Sequence, residues 1–273
     1  MPVPPVETIA ETLRPLTDRP AAAAVLCDID GTLAPIVDRA EDAAVPEHVS
    51  RLLGRIARRY SVVACISGRG AAEARRIVGV GGIAYAGSHG AELLLPGKTE
   101  AELVPAFADW ADRVREFALS KDSAELRMLR IRIEDKRAIF AFHWRGAPDE
   151  EAARTMVERI AAEAESAGFI THWGRKVLEI RPPVPINKGQ AVRELLRRNP
   201  VRTALFGGDD ATDLDVYDAL AEMRAAGTLD AAVCVGVRSS EGPAAIVERA
   251  DLVVDGTTGF VQVLEVLADP PTG

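Results

Sequence analysis

Two aspartates, one residue apart, carry the strongest chemical signal in the chain. Asp28 and Asp30 follow the apolar run Val25–Cys27, and a glycine and Thr32 come directly after them. If this run is a strand, its alternation points both carboxylates the same way at its carboxyl end, where open α/β sheets place their active sites. Two anions there repel each other unless a cation or a shared proton compensates. The expected compensator is a hard divalent ion such as Mg2+.

Such a pair is suited to phosphoryl transfer. A carboxylate beside Mg2+ can attack phosphorus, and a second carboxylate can carry protons to and from the leaving group. Taken alone, the same letters are also compatible with a simple turn capped by Asp and Gly. The choice between the two interpretations therefore depends on the rest of the chain.

Three further segments place polar groups beside apolar runs or at a helix start. They are Ser61–Arg69 with Ser67 near its end, Asn187–Gly189 with the cation Lys188, and Leu205–Asp213 with the acids Asp209, Asp210 and Asp213. A transferring phosphoryl group spreads negative charge over its equatorial oxygens, so its site needs cations and hydrogen-bond donors. Lys188, the Ser67 hydroxyl and a metal ion would supply them.

In type and order, these four segments resemble the motifs of the haloacid dehalogenase-like phosphohydrolases. The resemblance implies that Asp28 is the nucleophile and that Asp30 is the general acid/base. It also implies that Ser67 and Lys188 hold the phosphoryl oxygens. The implied Mg2+ site comprises Asp28, Asp30 through its backbone carbonyl, and Asp209, with Asp210 and Asp213 as supporting acids.

The pattern along the chain predicts an α/β fold with a second domain inserted into the first. Short apolar runs alternate with helical stretches in about residues 22–95 and again after Pro185, which is typical of βαβ units and a parallel sheet. We expect a Rossmann-like catalytic core of residues 1–96 and 184–273, and an α+β cap domain of residues 97–183. Pro96-Gly97 and Pro182–Pro185 are the expected hinges.

The predicted elements follow from periodicity and turn residues. Core strands are expected at Val25–Cys27, Val62–Ile66, Ile83–Ala86, Thr203–Phe206, Ala232–Val237 and Leu252–Val254. Core helices are expected at Arg51–Tyr60, Ala71–Val78, Gly189–Arg198, Leu214–Ala226, near Pro243–Glu248 and after Thr258. The insert reads as helix, hairpin, helix, hairpin, with strands at 130–134, 138–144, 169–173 and 176–181 and the second helix between Pro148 and Gly168.

Within the superfamily, the chain resembles the trehalose-6-phosphate phosphatases. The stretches that carry this resemblance are Gly87–Glu92, Glu134–Arg145, Gly174–Pro183 and Gly208–Asp215, while Ile29 and Leu214 depart from the usual pattern. The resemblance implies hydrolysis of trehalose 6-phosphate, with a cap that recognises the substrate. The implied substrate-binding residues are Arg69, His89, Glu134, Lys136, His143, Arg145, Arg175 and Glu179.

Several alternatives remain open from the sequence. The polar cap residues could instead form the solvated face of a hairpin. One of His143 and Trp144 faces the cap core, and His89 fits a structural role as well as a substrate role. The substrate could be another sugar phosphate, such as sucrose phosphate or a glycosyl-phosphoglycerate, or the protein could be a mutase. A non-catalytic sugar-phosphate sensor is disfavoured because the chain keeps its candidate nucleophile, Asp28.

Composition narrows the partners and the compartment. The chain has 273 residues, 48% of them hydrophobic, and a net charge of -8, which argues against a nucleic-acid or membrane surface. Its three cysteines, Cys27, Cys65 and Cys234, lie in apolar runs and predict free thiols in a reducing compartment. The first residues do not have the pattern of a signal peptide. We expect a monomeric cytoplasmic protein whose partner is a small sugar phosphate.

Overall fold

The structure of the protein is a computed structural model, which describes residues 4–37, 42–136, 139–184, 187–239 and 242–271. The chain divides into two compact units, one within residues 1–102 and 186–273 and the other within residues 103–185. Arg137 and Ala138, at the predicted turn between two strands, and Pro185, in the second predicted hinge, lie outside the described residues.

The strands and helices of the described residues are as follows. The strands are β1 (Ala23–Cys27), β2 (Val62–Ile66), β3 (Ala84–Gly87), β4 (Glu92–Leu94), β5 (Glu102–Leu103), β6 (Arg132–Asp135), β7 (Phe140–His143), β8 (Ile170–Gly174), β9 (Val177–Arg181), β10 (Thr203–Gly208), β11 (Ala231–Arg238) and β12 (Leu252–Asp255). The helices are α1 (Val6–Thr17), α2 (Glu47–Ile56), α3 (Ala71–Val78), α4 (Pro105–Ser120), α5 (Ala124–Met128), α6 (Glu150–Ser166), α7 (Lys188–Arg198), α8 (Leu214–Ala225), α9 (Ala244–Glu248) and α10 (Gly256–Ala268).

The larger sheet places four strand ends side by side. Its order is β12-β11-β10-β1-β2-β3-β4-β5, and β12 through β3 pair in parallel, whereas β4 is antiparallel to β3. In register, Cys27 at the end of β1 lies beside Gly207 of β10 and Cys65 of β2. The residues that follow β10, β1, β2 and β3 therefore gather at one edge of the sheet, which is where the α/β prediction puts the chemistry.

Both faces of this sheet are covered, which explains the continuous apolar runs of its strands. All five residues of β1 are buried. Val25 belongs to the core that includes Ile9 of α1 and Leu53 of α2, while Phe206 of β10 meets Tyr217 of α8 edge-on at 6.2 Å. The α/β class is thus confirmed, with helices packed against a mainly parallel sheet.

Some elements differ from the prediction for local reasons. Helix α1 was not predicted, although Ile9, Leu13 and Leu16 form its buried face, because Pro15 in its last turn weakens the helical signal. The helix expected over Arg51–Tyr60 is α2, which covers Glu47–Ile56 instead. It starts directly after Pro46, and proline is favourable at a helix start. Helix α5 has five residues, too few for a periodic pattern.

The second unit packs two helices on one face of a four-stranded antiparallel sheet. The strand order is β6-β7-β9-β8. Phe142 of β7 lies opposite Leu178 of β9, and both are buried in a core with Val157 of α6 and Val114 of α4. The two predicted hairpins are therefore confirmed, with β6 starting at Arg132 rather than at residue 130.

Helix α6 begins and ends where its capping residues allow. The Asp149 side chain accepts a hydrogen bond of 2.9 Å from the backbone N–H of Ala152, so the helix begins at Glu150, just after the Pro148 of the prediction. Gly168 follows the helix in the left-handed conformation, with φ of 86°, as predicted for a residue just past its end.

Two further observations concern the cysteines and membrane-spanning segments. Cys27, Cys65 and Cys234 are buried free thiols, as expected, and burial raises the pKa of the Cys234 thiol to about 12. In the described part of the chain, no helix combines the length and the apolar character that a membrane crossing requires.

Candidate active site

The predicted motif residues meet at the carboxyl edge of the larger sheet. Asp28 directly follows β1, Ser67 follows β2 and Asp209 follows β10. The backbone N–H of Asp28 donates to the Gly207 carbonyl at 2.8 Å, which carries the β1–β10 pairing up to the site. The structure therefore brings together side chains that are up to 181 residues apart in the sequence.

Lys188 links two of the acidic motifs. Its ammonium donates hydrogen bonds of 2.7 Å to Asp28 Oδ1 and of 2.7 Å to Asp213 Oδ1, and all three side chains are almost fully buried. Lys188 is the first residue of α7, whose start is fixed by the Asn187 side chain accepting from the backbone N–H of Gln190 at 2.9 Å. Burial lowers the pKa of Lys188, but Asp28 and Asp213 outweigh it and raise the pKa above its usual value.

A glycine allows α7 to lie this close to its neighbour. A Cβ on Gly189 would stand 2.2 Å from the backbone oxygen of Asp215 in α8. No side chain fits there without moving the backbone of α8 or of α7. The sequence Asn187-Lys188-Gly189 thus supplies the N-cap residue of α7, the cation of the site and the small residue that the close contact with α8 requires.

Three buried carboxylates form a cluster that suits a divalent cation. Asp28, Asp209 and Asp213 each offer an oxygen, and these oxygens lie within 4.8 Å of one another. When all are ionised, three carboxylates beside the ammonium of Lys188 leave two uncompensated negative charges in the cluster. Hard carboxylate oxygens and this charge excess fit a bound Mg2+.

The pKa values of the cluster report the same excess of negative charge. Burial, followed by repulsion from Asp213, raises the pKa of Asp209 to about 7. Burial also raises the pKa of Asp28 and of Asp213, against the attraction of Lys188. A divalent cation would lower all three, because an adjacent positive charge favours the ionised carboxylate.

Backbone groups hold Asp213 in the cluster. Its Oδ2 accepts from the backbone N–H of Asp209 at 2.8 Å and from that of Asp210 at 3.0 Å. A Cβ on Gly208 would lie 2.4 Å from the Asp213 carboxyl carbon, so glycine is required where the acidic turn folds back. The sequence contains the pair Gly207-Gly208 before the acids, but this reason for Gly208 comes only from the structure.

The turn after Asp30 positions Asp209. Gly31 has φ of 87°, and a Cβ there would lie 2.1 Å from Asp209 Oδ2. The Thr32 hydroxyl donates to Asp209 Oδ1 at 3.2 Å and is fully buried. Gly31 and Thr32 are therefore site residues whose roles the sequence did not reveal, although both stand within the first motif.

Asp30 is held by Arg69. The guanidinium donates from Nε to Asp30 Oδ2 at 2.7 Å and from Nη2 to Asp30 Oδ1 at 2.8 Å, a bidentate pair. Arg69 also donates from Nη1 to Glu73 Oε1 at 2.8 Å. The Asp30 side chain is 37% exposed, unlike the buried cluster. Arg69 was predicted to bind substrate; the structure places its guanidinium on the candidate general acid/base.

Ser67 and His89 lie on adjacent strand ends. The Ser67 hydroxyl accepts from the backbone N–H of Arg69 at 3.1 Å, and the Ser67 carbonyl accepts from the backbone N–H of His89 at 3.1 Å. His89 is exposed and left-handed, with φ of 55°. Its ring covers Gly68, where a Cβ would meet His89 Cε1 at 2.7 Å.

A buried glutamate braces this region and was not assigned a role from the sequence. Glu92 Oε1 accepts from the backbone N–H of Ala71 at 2.7 Å and from the Ser88 hydroxyl at 3.2 Å. It thereby ties the start of α3 to the turn that follows β3. Its burial within the Gly87–Glu92 stretch could not be read from a single sequence.

Asp210 occupies a different place from the other acids. It is exposed, and its Oδ1 accepts from the backbone N–H of Thr212 at 2.6 Å and from the Thr212 hydroxyl at 2.7 Å. Partial burial raises the pKa of Asp210, but Lys188 and the Thr212 hydrogen bonds outweigh it and lower the pKa. It supports the site by capping the turn of residues 211–213.

The second unit brings four predicted substrate residues together on the open face of its sheet, the face opposite α4 and α6. Lys136 Nζ donates to Glu179 Oε1 at 3.0 Å and lies 3.8 Å from Glu134 Oε2. His143 Nε2 is 2.7 Å from Glu134 Oε2. Trp144, not His143, is in the core of this unit.

Residues beyond the predicted set share this face. Arg181 Nε donates to Glu179 Oε2 at 3.1 Å, and alternation from Glu179 could have identified it. His172 lies opposite Glu179 in register. Burial raises the pKa of Glu179, but Arg181 and Lys136 outweigh it and lower the pKa. Arg145 and Arg175 are exposed in the turns that follow β7 and β8.

Comparison with known proteins gives consistent matches. Residues 26–246 match the trehalose-phosphatase family. A trehalose-phosphate phosphatase from Mycolicibacterium paratuberculosis is 37% identical over 213 residues, which cover 72% of this chain and 51% of the relative. An uncharacterised glycosyl hydrolase from Mycobacterium tuberculosis is 32% identical over 232 residues, covering 79% of this chain and 16% of that protein. The chain thus spans about half the length, or less, of these relatives.

Solved structures support the fold. A trehalose-6-phosphate phosphatase from Aspergillus fumigatus superposes with a TM-score of 0.64 at 23% identity, covering 99% of this chain and 100% of that one. A trehalose-6-phosphate phosphatase related protein gives a TM-score of 0.60 at 23% identity, covering 90% and 96%. These likenesses extend over nearly the whole chain and therefore include both units.

Proposed function

The chain belongs to the trehalose-phosphatase family, and we propose that it hydrolyses trehalose 6-phosphate to trehalose and inorganic phosphate. The observation that carries the proposal is the buried Lys188, which donates 2.7 Å hydrogen bonds to Asp28 and Asp213. A lysine shared by two buried carboxylates beside a third is a costly arrangement for stability alone. It is well suited to a site that holds a metal ion and a phosphoryl group.

The acidic cluster fits the cofactor that the proposal needs. Mg2+ would be held by the carboxylates of Asp28 and Asp209 and by the backbone carbonyl of Asp30, with Asp213 and Asp210 as supporting acids. When bound, the ion supplies positive charge against the phosphoryl oxygens and keeps the carboxylates ionised. The charge excess described above is the feature of this chain that supports the assignment.

The reaction follows from the roles of two aspartates. A carboxylate oxygen of Asp28 attacks phosphorus, the bond from phosphorus to the sugar oxygen breaks, and Asp30 gives its proton to that oxygen. Asp30 then removes a proton from water, the water oxygen attacks the phosphoaspartate, and inorganic phosphate leaves with Asp28 restored. Arg69 holds Asp30 in a single orientation through two hydrogen bonds. It serves as a positioning residue in this scheme.

Lys188 and Ser67 bind the transferring group in the proposal. The ammonium is fixed by its two carboxylate partners, so little reorganisation is needed when negative charge develops on the phosphoryl oxygens. Ser67 is buried at the end of β2, and its oxygen is positioned by the backbone N–H of Arg69. His89, beside Gly68, is proposed as a further substrate contact.

We propose that the second unit is a cap domain and that the open face of its sheet determines which sugar phosphate is bound. Glu134, Lys136 and Glu179 form a connected network of charged groups there. Such groups match sugar hydroxyls, each of which both donates and accepts. Three more predicted residues complete the proposed set: His143, Arg145 and Arg175.

The test is phosphate release from trehalose 6-phosphate, with and without Mg2+. The proposal expects rapid release with the ion and loss of turnover in excess chelator. A sensor would bind the sugar phosphate and release none, and a mutase would release little while isomerising the sugar phosphate. An Asp28→Asn variant is the matched control, since its amide cannot attack phosphorus. Equal phosphate release by this variant would overturn the proposed chemistry.

A further inference from the structure

We propose that the second unit carries a saccharide-binding site on the helix side of its sheet, separate from the open face. A cavity of about 720 Å³ lies there between the start of α6 and the β8–β9 hairpin. Its lining includes Trp144, Trp173, Glu150, Glu151, Arg154 and Lys176. None of these residues belongs to the network around Glu179 that is proposed to bind substrate.

The strand register separates the two sites. Trp173 of β8 lies opposite Leu178 of β9, and Leu178 is buried in the core beneath the helices. Glu179 is the next residue along β9 and so points to the other face of the sheet. A ligand packed on Trp173 therefore lies on the face of the sheet opposite Glu179.

The aromatic pair gives the cavity its apolar wall. Trp144 is 7% exposed and Trp173 is 44% exposed, and their rings meet edge-on with centroids 6.0 Å apart. Trp144 anchors the pair in the core, while Trp173 presents ring surface to a ligand. The C–H face of a pyranose ring is flat and apolar, and it packs well on such a ring.

The positive and negative side chains that line the cavity are equal in number, and this limits the class of ligand that it would bind. Glu150 and Glu151 are matched by Arg154 and Lys176, two negative against two positive groups. Lys176 bonds Glu150, and Arg154 bonds Glu158 at 2.8 Å. A site without net charge favours neither a phosphate nor a quaternary ammonium ion. Carboxylate and guanidinium groups nevertheless bond adjacent hydroxyls well, and the volume is that of a small-molecule site.

The hairpin builds this cavity before any ligand arrives. Lys176 adopts the left-handed conformation with φ of 61°, and its carbonyl accepts from the backbone N–H of Trp144 at 3.2 Å. These features hold the end of the β8–β9 hairpin against the segment that carries Trp144. A preformed site loses less entropy when a ligand binds. The exposed ring surface of Trp173 and the balanced charges of the lining favour a neutral mono- or disaccharide as that ligand.

The experiment is a titration of the full chain with trehalose and with maltose, followed by tryptophan fluorescence. We expect a saturable change in the wild-type protein and in Glu179→Ala, because the open face is not involved. Trp173→Phe should keep most of the affinity, whereas Trp173→Leu should weaken it by roughly two- to tenfold, the range of one aromatic packing interaction. Trp173 is partly exposed, so both variants are expected to fold, which circular dichroism checks.

Four outcomes would overturn the proposal. The first is unchanged affinity in Trp173→Leu, and the second is loss of the signal in Glu179→Ala with retention in Trp173→Leu. The third is tighter binding of choline or inorganic phosphate than of either sugar, which would mean an ion site. Absence of any saturable response to both sugars would contradict the assignment directly. None of these results depends on whether the chain hydrolyses trehalose 6-phosphate.

Discussion

Replacing Asp209 with Asn should stabilise the metal-free protein while removing its ability to bind Mg2+. Burial and Asp213 raise the pKa of Asp209 from 3.8 to about 7 in the folded state. Because a tenfold change in proton affinity corresponds to about 1.4 kcal/mol, a pKa raised this far is a cost to folding on the order of 4 kcal/mol at pH 8 and above. The amide of Asn carries no charge and can still accept from Thr32.

The sign of the pH dependence follows from proton binding. Between pH 4 and pH 7 the folded protein keeps a proton on Asp209 that the unfolded chain has lost. The stability of the metal-free wild type therefore falls as pH rises through this window. The advantage of Asp209→Asn should be smaller at pH 5 than at pH 8. Mg2+ should stabilise the wild type and leave the variant unchanged.

The assay is urea unfolding in excess chelator at pH 5 and pH 8. All three tryptophans of the chain lie within residues 103–185 and all three tyrosines lie outside them, so tyrosine near-ultraviolet dichroism follows the unit that contains Asp209. Asp210→Asn is the matched control: that side chain is exposed, its pKa is lowered, and Asn keeps the cap. A midpoint for Asp209→Asn at or below that of the wild type at pH 8 would mean that ionised Asp209 does not destabilise the metal-free fold.

Three further substitutions test separate parts of the site. Lys188→Met should destabilise the fold by about 3–5 kcal/mol, because it leaves Asp28 and Asp213 without their buried cation, and urea midpoints should show it. Gly31→Ala should abolish Mg2+ binding measured by calorimetry, since its Cβ would lie 2.1 Å from Asp209 Oδ2; a normal affinity would contradict this. Glu179→Ala should lower kcat/KM for trehalose 6-phosphate by roughly ten- to a hundredfold and change p-nitrophenyl phosphate turnover little; equal losses would indicate a structural role.

The sequence was enough to predict that the candidate site residues lie close together, because their signals are local. Asp28, Ser67 and Asp209 each end an apolar run, and parallel strands bring such ends to one edge of a sheet. The pairing of Lys188 with Asp213 could not be predicted in the same way. It depends on how closely α7 approaches α8, and this is set by tertiary packing at Gly189.

In the second unit, too, the sequence predicted some features, and others depend on tertiary packing. Alternation predicted its hairpins, but only the register shows that Trp144 faces the core while His143 lies beside Glu134. The period-two pattern of a strand could have placed Arg181 on the same face as Glu179. The contact between Arg69 and Asp30 could not be predicted in this way, because both residues lie beyond the ends of β1 and β2, where strand alternation no longer sets the side-chain directions.

The proposed activity is best tested by comparing kcat/KM for phosphate release across a panel of sugar phosphates at saturating Mg2+. The panel should contain trehalose 6-phosphate, sucrose 6-phosphate, glucose 6-phosphate and a glucosyl-phosphoglycerate, with Asp28→Asn as the blank. We expect trehalose 6-phosphate to be the best substrate and the blank to release no phosphate. Faster turnover of another member would overturn the trehalose assignment, and no release from any member would contradict the phosphatase itself.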